Sequence, residues 1–192
     1  MKNSIKKLVI VTIIALVTFS FTSIKKEQKD IKIENSKLVW KGYKVAGSHT
    51  GTIALQAGSL HFNQDKLVGG EFTINMASIT CTDLEGEYKG KLEGHLKSDD
   101  FFGVEENPTA KLVFKKVKLI GENSYNITGD LTIKGITNEI TFEFLVNGNK
   151  ANASLKIDRS KFNVKYGSTS FFDNLKDKAI SDEFDIMADL QF

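Results

Sequence analysis

The chain has few of the residues from which small proteins build covalent or metal-based frameworks. It contains one cysteine and one proline in 192 residues. A single cysteine excludes an intramolecular disulfide framework and, on this reading, any cysteine-based zinc site. The length suits one ordinary domain with a short appendage. Hydrophobic residues make up 41% and charged residues 26% of the chain, which is the composition of a globular protein and excludes wholesale disorder.

The chain also lacks an excess of either charge once its first residues are set aside. Residues 1–23 contain Lys2, Lys6 and Lys7 and no acidic residue. The remainder has 23 basic and 24 acidic residues, a net charge of −1, whereas the whole chain carries +2. The basic excess therefore belongs to the first segment, and we expect no nucleic-acid partner.

The three lysines precede an uncharged and mostly apolar run from Leu8 to Ile24. A basic segment followed by a short apolar segment is the layout of a secretory signal peptide. The alternative is an uncleaved membrane anchor, but the run would be about 26 Å long as a helix and the hydrocarbon core is roughly 30 Å thick. The length favours a signal peptide that spans residues 1–23. We therefore expect a periplasmic or secreted location.

After a polar lead-in over residues 24–36, apolar and polar residues alternate along the rest of the chain. The alternation recurs in eight segments, around residues 38–40, 53–55, 68–74, 110–115, 127–133, 140–146, 153–157 and 184–190. A period of two predicts strands with one apolar face. Turn residues at 63–65, 121–123 and 147–148 separate neighbouring segments, which predicts an antiparallel meander.

Two long connections, residues 76–108 and 159–177, interrupt this meander. In the first, apolar residues recur every four positions, which predicts one or two short helices despite interrupting glycines: Leu84, Tyr88, Leu92 and Leu96. Eight antiparallel strands of this kind close into an up-and-down barrel that leaves no exposed edge. The predicted fold class is therefore all-β.

An eight-stranded barrel either fills its interior with side chains or holds one small ligand. The residues predicted to face inward are Leu38, Trp40, Phe72, Leu112, Phe114, Leu131, Phe142, Phe144, Phe184 and Ile186. By themselves they fit a ligand cavity and a plain aromatic core equally well.

The polar residues give little sign of catalysis. His49, His61 and His95 lie on separate segments without the short spacing of a zinc site, so we predict structural histidines and no metal. No Gly-x-Ser-x-Gly motif is present, and we predict no catalytic residues and no enzymatic activity. Arg159, the only arginine, follows Asp158. It fits an anionic ligand headgroup, although an ion pair that holds the long connection is favoured.

Five motifs, in order along the chain, resemble those of the YceI family. They are Ser48-His49-Thr50-Gly51, His95-Leu96-Lys97-Ser98-Asp99-Asp100-Phe101-Phe102, Asn107-Pro108-Thr109-Ala110, the run from Thr128 to Thr137, and Ile157-Asp158-Arg159-Ser160-Lys161-Phe162. The resemblance covers residues 37–192. It implies a secreted bacterial protein with a lipocalin-like antiparallel barrel that carries a long apolar chain, and it favours the ligand cavity over the packed core.

The sequence thus predicts an exported lipid-binding protein that acts as a carrier or sequestering protein. Its ligand would be a polyisoprenoid, an isoprenoid quinone or a fatty-acid derivative, enclosed by the ten inward residues, with His49 and Arg159 at the mouth or headgroup. We expect no cofactor other than such a lipid, membrane contact only for ligand exchange, and a surface compatible with a homodimer. The alternative is a secreted interaction or stress-response module whose barrel is a packed scaffold.

Overall fold

The structure, a computed structural model, describes residues 26–192, so the predicted signal peptide lies outside the described residues. It consists of β1 (Lys26–Asp30), β2 (Lys37–Lys44), β3 (Gly47–Asn63), β4 (Lys66–Cys81), α1 (Gly86–Lys97), β5 (Thr109–Leu119), β6 (Ser124–Ile133), β7 (Ile136–Asn147), β8 (Lys150–Asp158) and β9 (Ile180–Gln191). Each of the eight predicted strands corresponds to one strand from β2 to β9.

Strands β2 to β9 form a closed antiparallel barrel. Each strand pairs with the next in sequence, and β9 returns to pair with β2. At the point of closure, Trp40 on β2 lies opposite Gly51 on β3 and Ile186 on β9. The predicted eight-stranded, lipocalin-like barrel is confirmed.

The two ends of the barrel differ in the length of their connections. At one end, which we call the turn end, three short turns join the strands at residues 64–65, 120–123 and 148–149. Gln64, Asp65 and Gly148 adopt the positive φ angles that such tight hairpins require. The opposite end, which we call the loop end, holds both long connections, residues 82–108 and 159–179.

Helix α1 is the single α-helix among residues 26–192, and it lies in the first long connection. Leu96 is buried and Leu92 is partly buried against the barrel, but Tyr88 is 75% exposed. The four-residue spacing therefore predicted the helix correctly and its buried face only in part. The second connection contains two short 3-10 turns instead. Within residues 26–192, no helix has the length and apolar content needed to cross a membrane.

Strand β1 lies in the polar lead-in, where the alternation predicts no strand. It pairs with residues 59–63 of β3, while β2 pairs with residues 47–53 of the same strand. The two strands thus follow one another along one edge of β3. Ile31, just after β1, is buried and donates its N–H to the carbonyl of Gly58 at 2.9 Å. The strand escapes sequence analysis because most of its own side chains are polar and exposed.

Candidate ligand-binding site

A cavity of about 170 Å³ lies inside the barrel, and the surface it exposes is entirely apolar. All ten residues predicted to face inward line it. The strand register explains this placement, because Leu112 on β5 lies between Phe72 on β4 and Leu131 on β6 and all three share the inner face. That these residues bind a ligand stays a prediction.

Four phenylalanine rings form a cluster on one side of this cavity. Phe114 is at its centre, with its ring centroid 5.7 Å from that of Phe72, 5.8 Å from Phe142 and 5.5 Å from Phe144. The rings meet in tilted or edge-to-face geometry, which aromatic pairs prefer. Van der Waals and ring contacts alone hold these side chains, because a phenyl ring offers no hydrogen-bonding group.

The cavity has a packed floor toward the turn end. Leu60 and Ile127 are fully buried there, beside the nearly buried Leu67 and Tyr125. The Tyr125 hydroxyl accepts a hydrogen bond from the Leu67 N–H at 3.3 Å, so the one polar group of this layer is satisfied. This packed layer bounds the cavity on the side of the turn end.

The cavity instead reaches the loop end, where residues of the first long connection and of strand ends join its lining. These are Leu96, Phe101 and Phe102 of the connection, Ile180 and Ser181 at the start of β9, and Tyr43 on β2. None of them was predicted to line the site, because they lie in α1, in irregular segments or at strand ends, where alternation gives no signal. The motif that contains Phe101 and Phe102 is one of the sequence features that mark this region.

Arg159 also lines the cavity, and its side chain is only 2% exposed. Its Nε donates to the carbonyl of Ser181 at 2.9 Å, Nη1 to Val164 at 2.8 Å and Nη2 to Ile180 at 3.0 Å. The guanidinium thus joins the two ends of the second long connection. This geometry fits the structural alternative for Arg159, and a headgroup contact stays a prediction.

The carboxylate nearest to Arg159 belongs to Asp182, 3.6 Å away. Asp158, which precedes Arg159 in the sequence, instead accepts hydrogen bonds from the N–H and hydroxyl of Ser160. Burial lowers the pKa of Arg159, and the charges of Asp182 and Asp158 oppose that shift. Burial raises the pKa of Asp182, but hydrogen bonds from Ser168 and Ser170 and the charge of Arg159 outweigh it, so this pKa lies below its ordinary value.

The three histidines do not meet at one site. His49 lies at the loop end opposite Gly42, outside the cavity lining, with its Nδ1 3.2 Å from a carboxylate oxygen of Asp83. His61 lies 12 residues further along the same strand, toward the turn end. His95 belongs to α1. His49, which was expected at the mouth, thus lies near the loop end. The three imidazoles do not share one site.

Three of the five motif segments converge at the loop end. The Nζ of Lys134 donates to the carbonyls of Asp99 at 2.9 Å and Phe101 at 3.0 Å, which fixes the turn after α1. The Arg159 guanidinium lies 5.3 Å from the centre of the Phe101 ring. These contacts join residues 95–102, 128–137 and 157–162 around the cavity entrance.

A family model described as the YceI-like domain matches residues 19–192. The chain belongs to this family. The match covers every described residue, so the resemblance drawn from the five motifs is confirmed.

A UPF0312 protein of Pseudomonas putida (strain W619) is 44% identical over 54 residues, which is 28% of this chain and only 28% of that relative's length. The crystal structure of BcnA from Burkholderia cenocepacia is 26% identical, with a TM-score of 0.66 over 84% of this chain and 98% of that one. A polyisoprenoid binding domain from Saccharophagus degradans is 12% identical, with a TM-score of 0.59 over 88% and 97%. At 12% identity the last likeness concerns the fold alone.

Proposed function

We propose that this YceI-like protein is exported and encloses a long-chain apolar lipid inside its barrel, as a carrier or sequestering protein. The observation that carries the proposal is the interior cavity, whose exposed surface is entirely apolar. We propose a polyisoprenoid, an isoprenoid quinone or a fatty-acid derivative as the ligand, and a structural neighbour described as a polyisoprenoid binding domain supports the first of these.

Burial of apolar surface supplies the binding free energy in such a site. Each buried CH₂ contributes roughly 0.8 kcal/mol, so one five-carbon isoprene unit contributes about 4 kcal/mol before ordering costs. One methylene more or less changes affinity by only about 1–3 kcal/mol. The cavity therefore selects a class of apolar chain and discriminates weakly among its members.

The size of the cavity sets a further condition. At about 170 Å³ it is close to the apolar cavity of about 150 Å³ that stays dry and binds benzene. The barrel thus accommodates a group the size of one ring or one isoprene unit, and a longer chain enters only if side chains move. We propose that the phenylalanine cluster around Phe114 moves, because ring contacts alone hold it.

Lipid extraction tests the proposal. The full chain is purified without detergent, extracted with organic solvent and analysed by mass spectrometry, and a long-chain lipid is expected at up to one equivalent. In Gly42→Phe a phenyl group fills the cavity, because Gly42 lines it and a Cβ there meets no atom within 4 Å. Ala57→Phe, at an exposed position of β3, is the matched control.

We expect Gly42→Phe to lose the lipid and Ala57→Phe to retain it. The proposal is contradicted if the wild-type protein carries no lipid and added polyprenol leaves its melting temperature unchanged. It is also contradicted if both variants retain the same lipid content as the wild type.

A second candidate function is that of a secreted interaction or stress-response module with a packed barrel. The exposed rings of Phe171 and Phe172 on the second long connection favour it. In that case a double variant with Phe171→Ser and Phe172→Ser loses the partner contact and keeps the lipid content of the wild type. Gly42→Phe leaves the partner contact intact.

A further inference from the structure

Three side chains of metal-ligating type come together where β3 and β4 meet the loop end. Asp83 lies between the other two, with one carboxylate oxygen accepting a hydrogen bond from the Cys81 thiol at 2.9 Å and the other 3.2 Å from Nδ1 of His49. All three ligand atoms lie within 4.8 Å of one another. Among residues 26–192, this is the one group of three or more such side chains with that spacing.

We propose that Nδ1 of His49, Sγ of Cys81 and a carboxylate oxygen of Asp83 bind a divalent transition-metal ion of the zinc class, with a fourth position open to water. Imidazole, thiolate and carboxylate are all ligands of zinc, and three protein ligands with one open position form a known type of zinc site. The sequence predicted no metal and excluded any cysteine-based zinc site. The proposed site departs from that expectation, because one cysteine is sufficient for a mixed ligand set.

The spacing of the three atoms suits such an ion. Zinc binds nitrogen, oxygen and sulfur at about 2.0–2.3 Å, so the ligand atoms of a tetrahedral site lie roughly 3.3–3.7 Å apart. The two distances to the Asp83 carboxylate, 2.9 and 3.2 Å, are slightly shorter than this. They are measured to different oxygens of the carboxylate, and all three ligand atoms lie within 4.8 Å of one another, so a tetrahedral site needs shifts of up to about 1 Å.

The backbone around the three ligands is already held in place. The Cys81 N–H donates to a carboxylate oxygen of Glu93 at 2.8 Å, which ties the end of β4 to α1. The Thr82 N–H donates to the carbonyl of Thr50 at 2.9 Å, which ties the segment after β4 to β3. Ligands positioned in this way lose little further freedom when an ion binds.

The exposure of the ligands provides a route of entry. Cys81 is fully buried, whereas the side chains of His49 and Asp83 are 25% and 32% exposed. A hydrated ion thus reaches the carboxylate and the imidazole first. The ion then replaces the thiol proton, which is released to solvent as the metal–sulfur bond forms.

Proton release makes binding depend on pH. Burial raises the pKa of the Cys81 thiol, and the hydrogen bond to Asp83 raises it further. Burial also raises the pKa of Asp83, but hydrogen bonds from Cys81, Thr50 and His49 outweigh it, so its pKa lies below the ordinary value. Formation of the metal–sulfur bond releases the thiol proton, so affinity rises with pH.

Cobalt substitution tests the site directly. The purified full chain is treated with a chelator, titrated with Co²⁺, and then titrated with Zn²⁺ in competition with Co²⁺. We expect one equivalent of Co²⁺ to give a thiolate-to-cobalt charge-transfer band that Zn²⁺ abolishes. Removal of a residue that only hydrogen-bonds to a metal ligand already lowers metal affinity 10- to 100-fold, and removal of a ligand itself should cost at least as much. Cys81→Ser and His49→Gln should therefore each weaken Zn²⁺ binding by at least about tenfold, while His61→Gln on the same strand retains full affinity.

The site is disproved if the wild-type protein gives no charge-transfer band at one equivalent of Co²⁺. It is equally disproved if His49→Gln binds Zn²⁺ as tightly as the wild type. These two measurements decide the outcome even if Cys81→Ser fails to fold, because the first needs no variant and the second changes a partly exposed side chain. Neither requires a bound lipid, so the result leaves the proposed carrier function unaffected.

Discussion

The guanidinium of Arg159 lies 5.3 Å from the centre of the Phe101 ring while it donates hydrogen bonds to the carbonyls of Val164, Ile180 and Ser181. One side chain thus joins the turn after α1, the second long connection and the start of β9. The planar, five-donor guanidinium allows this combination, and a lysine ammonium cannot reproduce it.

Arg159→Lys is accordingly expected to destabilise the protein. Hydrogen bonds from charged groups contribute about 1.5–3 kcal/mol each, and lysine retains only part of the set, so we expect a loss of about 2–4 kcal/mol in unfolding free energy. Urea denaturation at pH 7 measures it. Lys161→Arg, at an exposed neighbouring position, should change stability by less than about 0.5 kcal/mol. An equally small change in Arg159→Lys would show that the guanidinium does not hold the connection.

Gly51 is expected to tolerate no side chain. A Cβ at this position would lie 1.8 Å from the backbone oxygen of Thr80 and 2.5 Å from the indole ring of Trp40. Because backbone cannot yield by that distance, Gly51→Ala should cost about 3 kcal/mol or more, at the upper end for overpacking. Fluorescence of Trp40, the only tryptophan, reports unfolding.

The matched control for Gly51 is Gly90→Ala in α1, where a Cβ would meet no atom within 4 Å. Alanine is favoured over glycine in a helix by about 1 kcal/mol, so this change should stabilise the protein. Equal effects of the two substitutions would mean that the close approach at Gly51 carries no cost.

Phe142→Ala is expected to lower the stability of the protein and to enlarge the cavity. Truncation of a buried phenylalanine costs about 3–5 kcal/mol, since it leaves a cavity. If the phenylalanine cluster must move for a long chain to bind, added polyprenol should raise the melting temperature of this variant more than that of the wild type. Leu145→Ala, on the exposed face of the same strand, is the control. Equal shifts in all three proteins would argue against displacement of the cluster.

Glu93 is expected to make stability depend on pH in the acid range. Hydrogen bonds from the Thr80 hydroxyl at 2.5 Å and the Cys81 N–H at 2.8 Å hold the pKa of Glu93 below its ordinary value. Because this pKa is lower in the folded than in the unfolded chain, Glu93 stabilises the fold above about pH 4.3, and the contribution is lost as the pH falls through the folded pKa.

Urea denaturation between pH 7 and pH 3 checks this dependence. The unfolding free energy of the wild type should fall with decreasing pH more steeply than that of Glu93→Gln. Glu87→Gln, an exposed position on the same helix, should follow the wild type. If all three profiles have the same slope, Glu93 does not contribute to acid sensitivity.

The fold was predictable because alternation is a local signal. Phe142 and Phe144 lie two residues apart, and the same spacing recurs in every barrel strand, so the sequence alone identified ten cavity residues. Strand β1 was missed because its register depends on β3, far along the chain, while its own side chains are mostly polar.

The loop end was less predictable because its contacts join distant segments. Asp182 approaches Arg159 from 23 residues away, whereas the adjacent Asp158 binds Ser160. Likewise, His49 and Asp83 are 34 residues apart and meet only because β3 and β4 form a hairpin. No local spacing encodes such pairs.

The position of both ends of the described chain has a practical consequence. Lys26 lies opposite Asn63 beside the turn at residues 64–65, and the Phe192 N–H donates to the carbonyl of Asn149 at 3.0 Å in another turn of the same end. A dye, a linker or a sensor surface attached at either position therefore leaves the cavity entrance facing solution.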